Sequence, residues 1–455
     1  MTSDERYDGD LAAQIARYEI PGASIAVFRG SDLAVDAAGV LDAESAAPVH
    51  PDSIFEIGSV TKVWTATLIL QLADEGILDL DAPVRGVLPD FRIADADAAA
   101  RVTPRHLLTH SGGFEGDVFA DTGEGEESLE LFLAELADAP QYFSPGEMFS
   151  YSNAGFCVLG RIVEVLTGGS YDQALADRVI SPLGLTDAHP QYAAALASRT
   201  AKGHRYGDDG LWTPTSDRLP RSWAPAGTRL AMTAADLARF GVAHIRAHVS
   251  GSPLGNALLA ASSLDGMQTK QPVAVPDLAG QWPEFRGLGW EIDDFDGTIV
   301  LGHDGDTIGQ HAFLRVIPSL DLAVVALTNG GNAHAWFTEF FENVLVRETG
   351  GRIARSSGAG RTPAPAPADL VGSYAGVSVR WTVSARPEGG LTLLREPQGF
   401  VAAFQEPSVA ELVHVAGRTF VTVDDDPVAY SFLGDSGPAI YLHSGRAYPR
   451  IAVHA

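Results

Sequence analysis

Lysine is nearly missing from this chain. Of its 31 basic residues only Lys62, Lys202 and Lys270 are lysines, against 58 acidic ones, and the net charge is −27. A surface of that sign repels phosphate backbones and anionic bilayers, which argues against nucleic acid or a membrane as partner. Cysteine is missing too, apart from Cys157, so no intrachain disulfide can form. The setting of that thiol, Ala154-Gly155-Phe156-Cys157-Val158-Leu159, is apolar and reads as structural burial, not reactivity. No apolar run approaches the length of a membrane span. The opening Met1-Thr2-Ser3-Asp4-Glu5-Arg6 has neither the basic nor the apolar region of a secretion signal, so the expected location is cytoplasmic. What is present is an ordinary globular composition, 45% hydrophobic over 455 residues, enough for one large domain and a smaller one.

Residues 23–29 and roughly 33–39 read as strands around a Gly30-Ser31-Asp32 turn. Phe55 to Ala73 reads as a connector and a long buried helix beginning near Ser59, with Gly76 as its stop. Thr103-Pro104 supplies an N-cap and an N1 proline for a short helix through His110. From about 125 to 250 the pattern is mostly helical, with a capping box at Thr233-Ala234-Ala235-Asp236. Strand patterns return at 298–301, 312–317 and 322–327, followed by an aromatic-rich helix near 334–347. Strands at both ends with helices between predict an α/β (α+β) body: one antiparallel sheet closed by the terminal segments, flanked by helices, with an inserted helical lobe and the site at the seam. The expected division is a main domain over 1–355, a Gly/Pro/Ala linker at 356–368 and a small all-β sandwich or barrel over 369–455.

Ser59-Val60-Thr61-Lys62 is the feature on which chemistry can be built. Residues three apart on a helix share a face, so the Ser59 hydroxyl and the Lys62 amine should meet. A serine is a poor nucleophile until a base takes its proton, and lysine is that base only when burial keeps its amine neutral. Alone, the spacing is a coincidence that chance can produce. Tyr151-Ser152-Asn153 adds a phenol able to relay protons and an amide able to hold the amine and a substrate carbonyl. His303-Asp304-Gly305 adds a third element. His110-Ser111-Gly112 and His443-Ser444-Gly445 share its pattern, but only His303 follows a strand within the main body. Gly305 lets substrate lie against that strand, and the N–H of Asp306 can pair with that of Ser59 as an oxyanion donor.

Taken in this order, the three elements resemble those of the serine β-lactamase-like family, in its class C branch of β-lactamases, D,D-carboxypeptidases, D-aminopeptidases, esterases and amidases. The resemblance spans roughly 10–350. It includes the stretches Leu107-Leu108-Thr109-His110-Ser111-Gly112-Gly113, Pro182-Leu183-Gly184-Leu185-Thr186-Asp187 and Thr233 to Phe240. It implies a β-lactamase/penicillin-binding-protein-like fold, Ser59 as acylated nucleophile, Lys62 as its base partner, Tyr151 as proton relay, Asn153 as substrate-amide contact, and His303 and Gly305 lining the site. A linked C-terminal β-domain also recurs in the family. The third motif departs from the Lys-Thr-Gly usual in class C β-lactamases: a mostly neutral imidazole stands where a permanent cation would bind a carboxylate.

The resulting expectation is a cofactor-free serine hydrolase acting on a small ester, amide or peptide, of esterase, amidase or D-peptidase type, with weak or no β-lactamase activity. The rivals are a cytoplasmic acyltransferase using the same acyl-enzyme, a β-lactamase or D,D-carboxypeptidase, and a non-catalytic binding module. Metal is not expected: His106/His110 and His244/His248 have zinc-like spacing but no third ligand at helical spacing. The acidic loop at about 114–128 follows a family motif and is a candidate lid.

Overall fold

The computed structural model describes residues 10–191, 199–207, 212–215, 218–246, 258–278, 284–295, 297–350, 367–403, 405–423, 427–434 and 436–451. Its largest feature among these residues is an eight-stranded antiparallel sheet. In spatial order the strands are Ala47–Pro48, Asp32–Asp42, Gly22–Arg29, Leu322–Thr328, His311–Ile317, Thr298–Asp306, Glu291–Phe295 and Phe285–Arg286. The first hairpin of the chain therefore pairs with a strand some 300 residues later, Ala23 facing Thr328 and Arg29 facing Leu322. The terminal segments do close one sheet, and everything between them is free to build a lobe.

Period-two alternation splits the sheet between two cores. Leu322, Val324 and Ala326 point to a back layer of Trp336, Phe337, Phe340 and Phe341 from the helix Ala333–Thr349. Ala323, Val325 and Leu327 point the other way, into the larger core shared with the helical lobe. At the centre of that core is the helix Thr61–Asp74, buried from Thr61 through Leu70. A helix apolar all round belongs inside a core, not on its surface. Trp64 stacks on Phe240 of Ala234–Arg246 at 3.8 Å, pinning this helix to its neighbour. Ser59 lies one 3₁₀ turn before the α-helix proper, in Gly58–Val60, and Gly76 (φ 73°) closes the far end.

The described residues between 125 and 246 are less helical than the sequence suggests. Ser128–Glu135, Asn153–Thr167, Tyr171–Leu175 and Ala234–Arg246 are helices. Between them lie the short strands Ala188–His189, His204–Tyr206, Trp212–Pro214 and Ala231–Met232. Ala231–Met232 is sandwiched between Phe55–Glu56 and Ala188–His189, which gives buried backbone groups their partners. Strands of two or three residues are too short for alternation to show. The helix after Thr103 likewise ends at Leu108, and His110 follows in a left-handed turn at φ 54°.

Residues Gly372–Ile451 form a closed eight-stranded barrel, its first and last strands joined through Ser373 and Ile451. Tyr374, Trp381, Phe420, Tyr430, Phe432 and Leu442 fill its interior. Of the expected linker, residues 356–366 lie outside the described residues, while Pro367 and Ala368 open the short helix Pro367–Leu370. Among the described residues no helix is long and apolar enough to cross a membrane.

Removing the Trp64 ring leaves a cavity that the surrounding helices cannot fill. Trp64→Ala is expected to lose about 3–5 kcal/mol of stability, read from the urea midpoint of the main body; a loss below about 1 kcal/mol would show that the stack does not hold the helix.

Candidate active site

Ser59 sits where three backbone segments touch. A Cβ on Gly58 (φ 51°) would lie 2.6 Å from the Asp306 nitrogen, one on Gly227 2.3 Å from the Gly58 carbonyl, and one on Gly305 2.1 Å from the Ile57 carbonyl. Only glycine permits such approach. The strand end at 305–306 and the turn at 227 are thereby pressed against the peptide of Ser59.

Lys62, fully buried one helical turn on, reaches back to the same point. Its Nζ lies 3.0 Å from Ser59 Oγ, 2.7 Å from Asn153 Oδ1 and 2.6 Å from the Ala226 carbonyl. Burial is the main cause that brings its pKa down to about 7, and the guanidinium of Arg446 pushes the same way. A neutral amine has two hydrogens and one lone pair. Asn153 Oδ1 and the Ala226 carbonyl can only accept, so they take the hydrogens, and the lone pair is left for the Ser59 hydroxyl proton.

Tyr151 lies over this amine, its ring centroid 4.7 Å from Nζ, with its hydroxyl on the Ser59 side. Burial pushes its pKa well up, so it stays a phenol. His110 stacks on the same ring at 4.5 Å, and its Nδ1 accepts the Ser152 N–H at 2.9 Å. Ser152 in turn caps the helix Asn153–Thr167 by accepting from Gly155 N. Asn153, the first residue of that helix, gives one amide hydrogen to Asp117 Oδ1 at 2.8 Å. The other is left for a substrate.

On the strand Thr298–Asp306, His303 and Gly305 face the serine. His303 Nδ1 lies 2.6 Å from the Asp304 carbonyl, so Nδ1 carries the hydrogen and Nε2 the lone pair. Burial, aided by Lys62, lowers its pKa to about 3, which keeps the ring neutral. The Thr307 N–H to Gln310 carbonyl bond sets the ladder's alternation, which turns the N–H of Asp306 away from the neighbouring strand and toward Gly58–Ser59. Asp306 reaches the site through its backbone alone; its side chain lies behind the strand. Ser59, Lys62, Tyr151, Asn153, His303, Gly305 and Asp306 thus converge on one cleft.

Sequence reasoning missed what the barrel contributes. His443-Ser444-Gly445, set apart in the sequence by its place beyond the linker, lies against Tyr151: the Gly445 carbonyl accepts the Tyr151 N–H at 3.0 Å and His443 Nε2 donates to the Phe149 carbonyl at 2.9 Å. Arg446 places its guanidinium 4.9 Å from the Tyr151 ring and its Nε 2.6 Å from Asp117 Oδ2. A chain of contacts therefore runs Arg446–Asp117–Asn153–Lys62. The acidic loop that reads as a lid is tied down on this side, since Glu115 accepts the N–H of Val377 from the barrel at 2.7 Å. His106 Nδ1 and His110 Nδ1 accept the backbone N–H groups of Thr103 and Ser152; His248 lies outside the described residues. No sequence spacing marks Arg446 or Asp117, because they meet only once the barrel has docked.

An antiparallel sheet with a helical lobe, and a buried Ser-x-x-Lys pair at their seam beside a tyrosine, define the β-lactamase and penicillin-binding-protein class of fold. The chain belongs to the β-lactamase family of serine hydrolases, whose family model matches residues 8–339. It is 40% identical over 373 residues to Penicillin-binding protein 4 of Amycolatopsis lactamdurans, covering 81% of this chain and 96% of that one. It is 31% identical over 359 residues to Esterase EstB of Burkholderia gladioli, covering 71% and 90%. The crystal structure of SurE superposes with a TM-score of 0.75 at 27% identity over 96% of this chain and 97% of that one, so the likeness extends through the barrel.

Removing Arg446 takes away a cation that lowers the Lys62 pKa and leaves Asp117, which raises it, without this partner. Arg446→Ala should therefore shift the rise of the acylation-rate profile to higher pH and lower turnover at pH 7, with partial rescue by Arg446→Lys. An unshifted profile would show that the barrel arginine does not act on the amine.

Proposed function

We propose that this chain hydrolyses small esters or amides through an acyl-enzyme on Ser59. The observation that carries the reading is the buried Lys62 amine, held by two acceptors with its lone pair left for the Ser59 hydroxyl. The Ser59 proton passes to Lys62 as Oγ attacks the substrate carbonyl. The resulting oxyanion is received by the N–H groups of Ser59 and Asp306. As the tetrahedral centre collapses, the Tyr151 phenol gives its proton to the departing amine or alkoxide and regains one from the Lys62 ammonium. Water then attacks the acyl-enzyme, losing its proton to the same pair, and Ser59 is released with its hydroxyl restored.

The substrate class follows from what faces the nucleophile. His303 is neutral, and the guanidiniums of Arg446 and Arg286 are paired with Asp117 and Glu291, so the third motif itself does not repeat the lysine that a β-lactam carboxylate meets in class C enzymes. Uncharged ester and amide groups suit this site better. The names of the relatives, a penicillin-binding protein and an esterase, support acyl chemistry of this kind. An acyltransferase would use the same residues with an amine in place of water.

Ser59→Ala should lose several orders of magnitude in kcat/KM on an aryl ester or D-amino-acid amide, and should no longer gain the acyl mass seen by intact mass spectrometry in the parent protein. Full activity in the variant would sink the proposal. Diversion of the product to an added amine would identify acyl transfer instead of hydrolysis. The base is the neutral amine, so acylation should rise with pH through about 7 as Lys62 loses its proton. Acylation that falls across this range would exclude Lys62 as the base.

A further inference from the structure

On the back of the same strand, away from Ser59, three ligating side chains converge from three elements. Asp306 ends the strand Thr298–Asp306, His311 faces it across the ladder as the first residue of His311–Ile317, and His334 stands in the first turn of Ala333–Thr349. Asp306 Oδ1 lies 2.6 Å from His311 Nδ1 and 3.1 Å from His334 Nε2, and all three ligand atoms are within 4.8 Å of one another. We propose that Asp306, His311 and His334 form a binding site for a divalent first-row transition metal, with zinc as the best fit.

Two imidazole nitrogens and one carboxylate oxygen are a donor set for Zn²⁺, and a poor one for Mg²⁺ or Ca²⁺, which take oxygen. Donors about 2.0–2.1 Å from one ion stand roughly 3.0–3.4 Å apart, and the two carboxylate–imidazole spacings of 2.6 and 3.1 Å are near that range. The side chains are exposed enough for an ion to enter: 54% for Asp306, 21% for His311 and 45% for His334. Three protein ligands leave a fourth position to water. The framework is stiff. The hairpin fixes Asp306 against His311, and the His334 ring stands edge-on to Phe313 at 5.0 Å, itself stacked on Phe337 at 4.4 Å. Without a metal the same atoms would form a hydrogen-bonded trio, which is the alternative to be tested.

The site differs from the acyl-enzyme site in both residues and face. Asp306 is shared only in that its N–H faces Ser59 while its carboxylate faces backward. An ion held here would tie the hairpin behind the oxyanion donors to the back-layer helix. Metal binding does not depend on the reading of Ser59, and its test needs no turnover.

The test is calorimetric titration of the full chain, first treated with a chelator, with ZnCl₂. One Zn²⁺ per chain is expected, weakened at least about tenfold by His311→Ala, by His334→Ala and by Asp306→Asn, and unchanged by Ser59→Ala or by His414→Ala on the barrel. Thermal melting of the metal-free variants checks that they are folded, and added Zn²⁺ should raise the melting temperature of the parent but not of the three ligand variants. Absence of saturable one-to-one binding would overturn the proposal, as would binding that survives loss of both histidines.

Discussion

The site depends on keeping water away from one amine. Lys62 is fully buried in a helix that is itself buried from Thr61 through Leu70, and burial is what brings its pKa down to about 7. An ammonium left in such a place would be costly unless paired, and the group responds by giving up its proton. Core packing around Trp64, Phe156 and the helix Thr61–Asp74 is therefore also what makes the neutral amine accessible near pH 7. A looser core would admit water, raise the pKa and leave more of the amine protonated near pH 7, so core stability and the charge of Lys62 rest on the same contacts.

The barrel belongs to this arrangement. It is filled with its own side chains, so its contribution lies on its outer surface, where Gly445 and Arg446 meet Tyr151 and Asp117. Arg446 and Asp117 are a mutually neutralising pair beside the amine. With both present, their effects on Lys62 are opposed; with one absent, the other acts alone. That gives the docking of a domain some 300 residues from the tyrosine a direct electrostatic consequence at the Lys62 amine.

The sequence was most legible where local spacing and chain order carried the information. Ser59 and Lys62 are neighbours on a helical face, Tyr151 to Asn153 open a capped helix, and His303 to Asp306 end a strand. Each can be read without knowing what lies opposite. The closing sheet was legible for the same reason, since its strands are long enough to show their period. The short strands at 188–189 and 231–232 were not, because two residues carry no periodicity. Arg446 and Asp117 were not legible either: their roles come from docking, which leaves no mark in spacing. His443 was ranked below His303 by its position beyond the linker, and that position proved a poor guide to distance from the site.

Alternation along one strand explains why a single segment can serve two environments. His303 and Gly305 face Ser59, whereas Asp304 and Asp306 face the back layer, where Asp304 pairs with Arg315 over the Phe337 ring and Asp306 meets His311 and His334. A slip of one residue in register would exchange the two sets, placing carboxylates against the buried amine and the imidazole in the back layer. The ladder to His311–Ile317 and the glycine contacts at 58 and 305 hold that register. The same constraint that aims the Asp306 N–H at Ser59 thus fixes where its carboxylate must go, and any ligand bound behind the strand would reach the Ser59 side through the backbone alone.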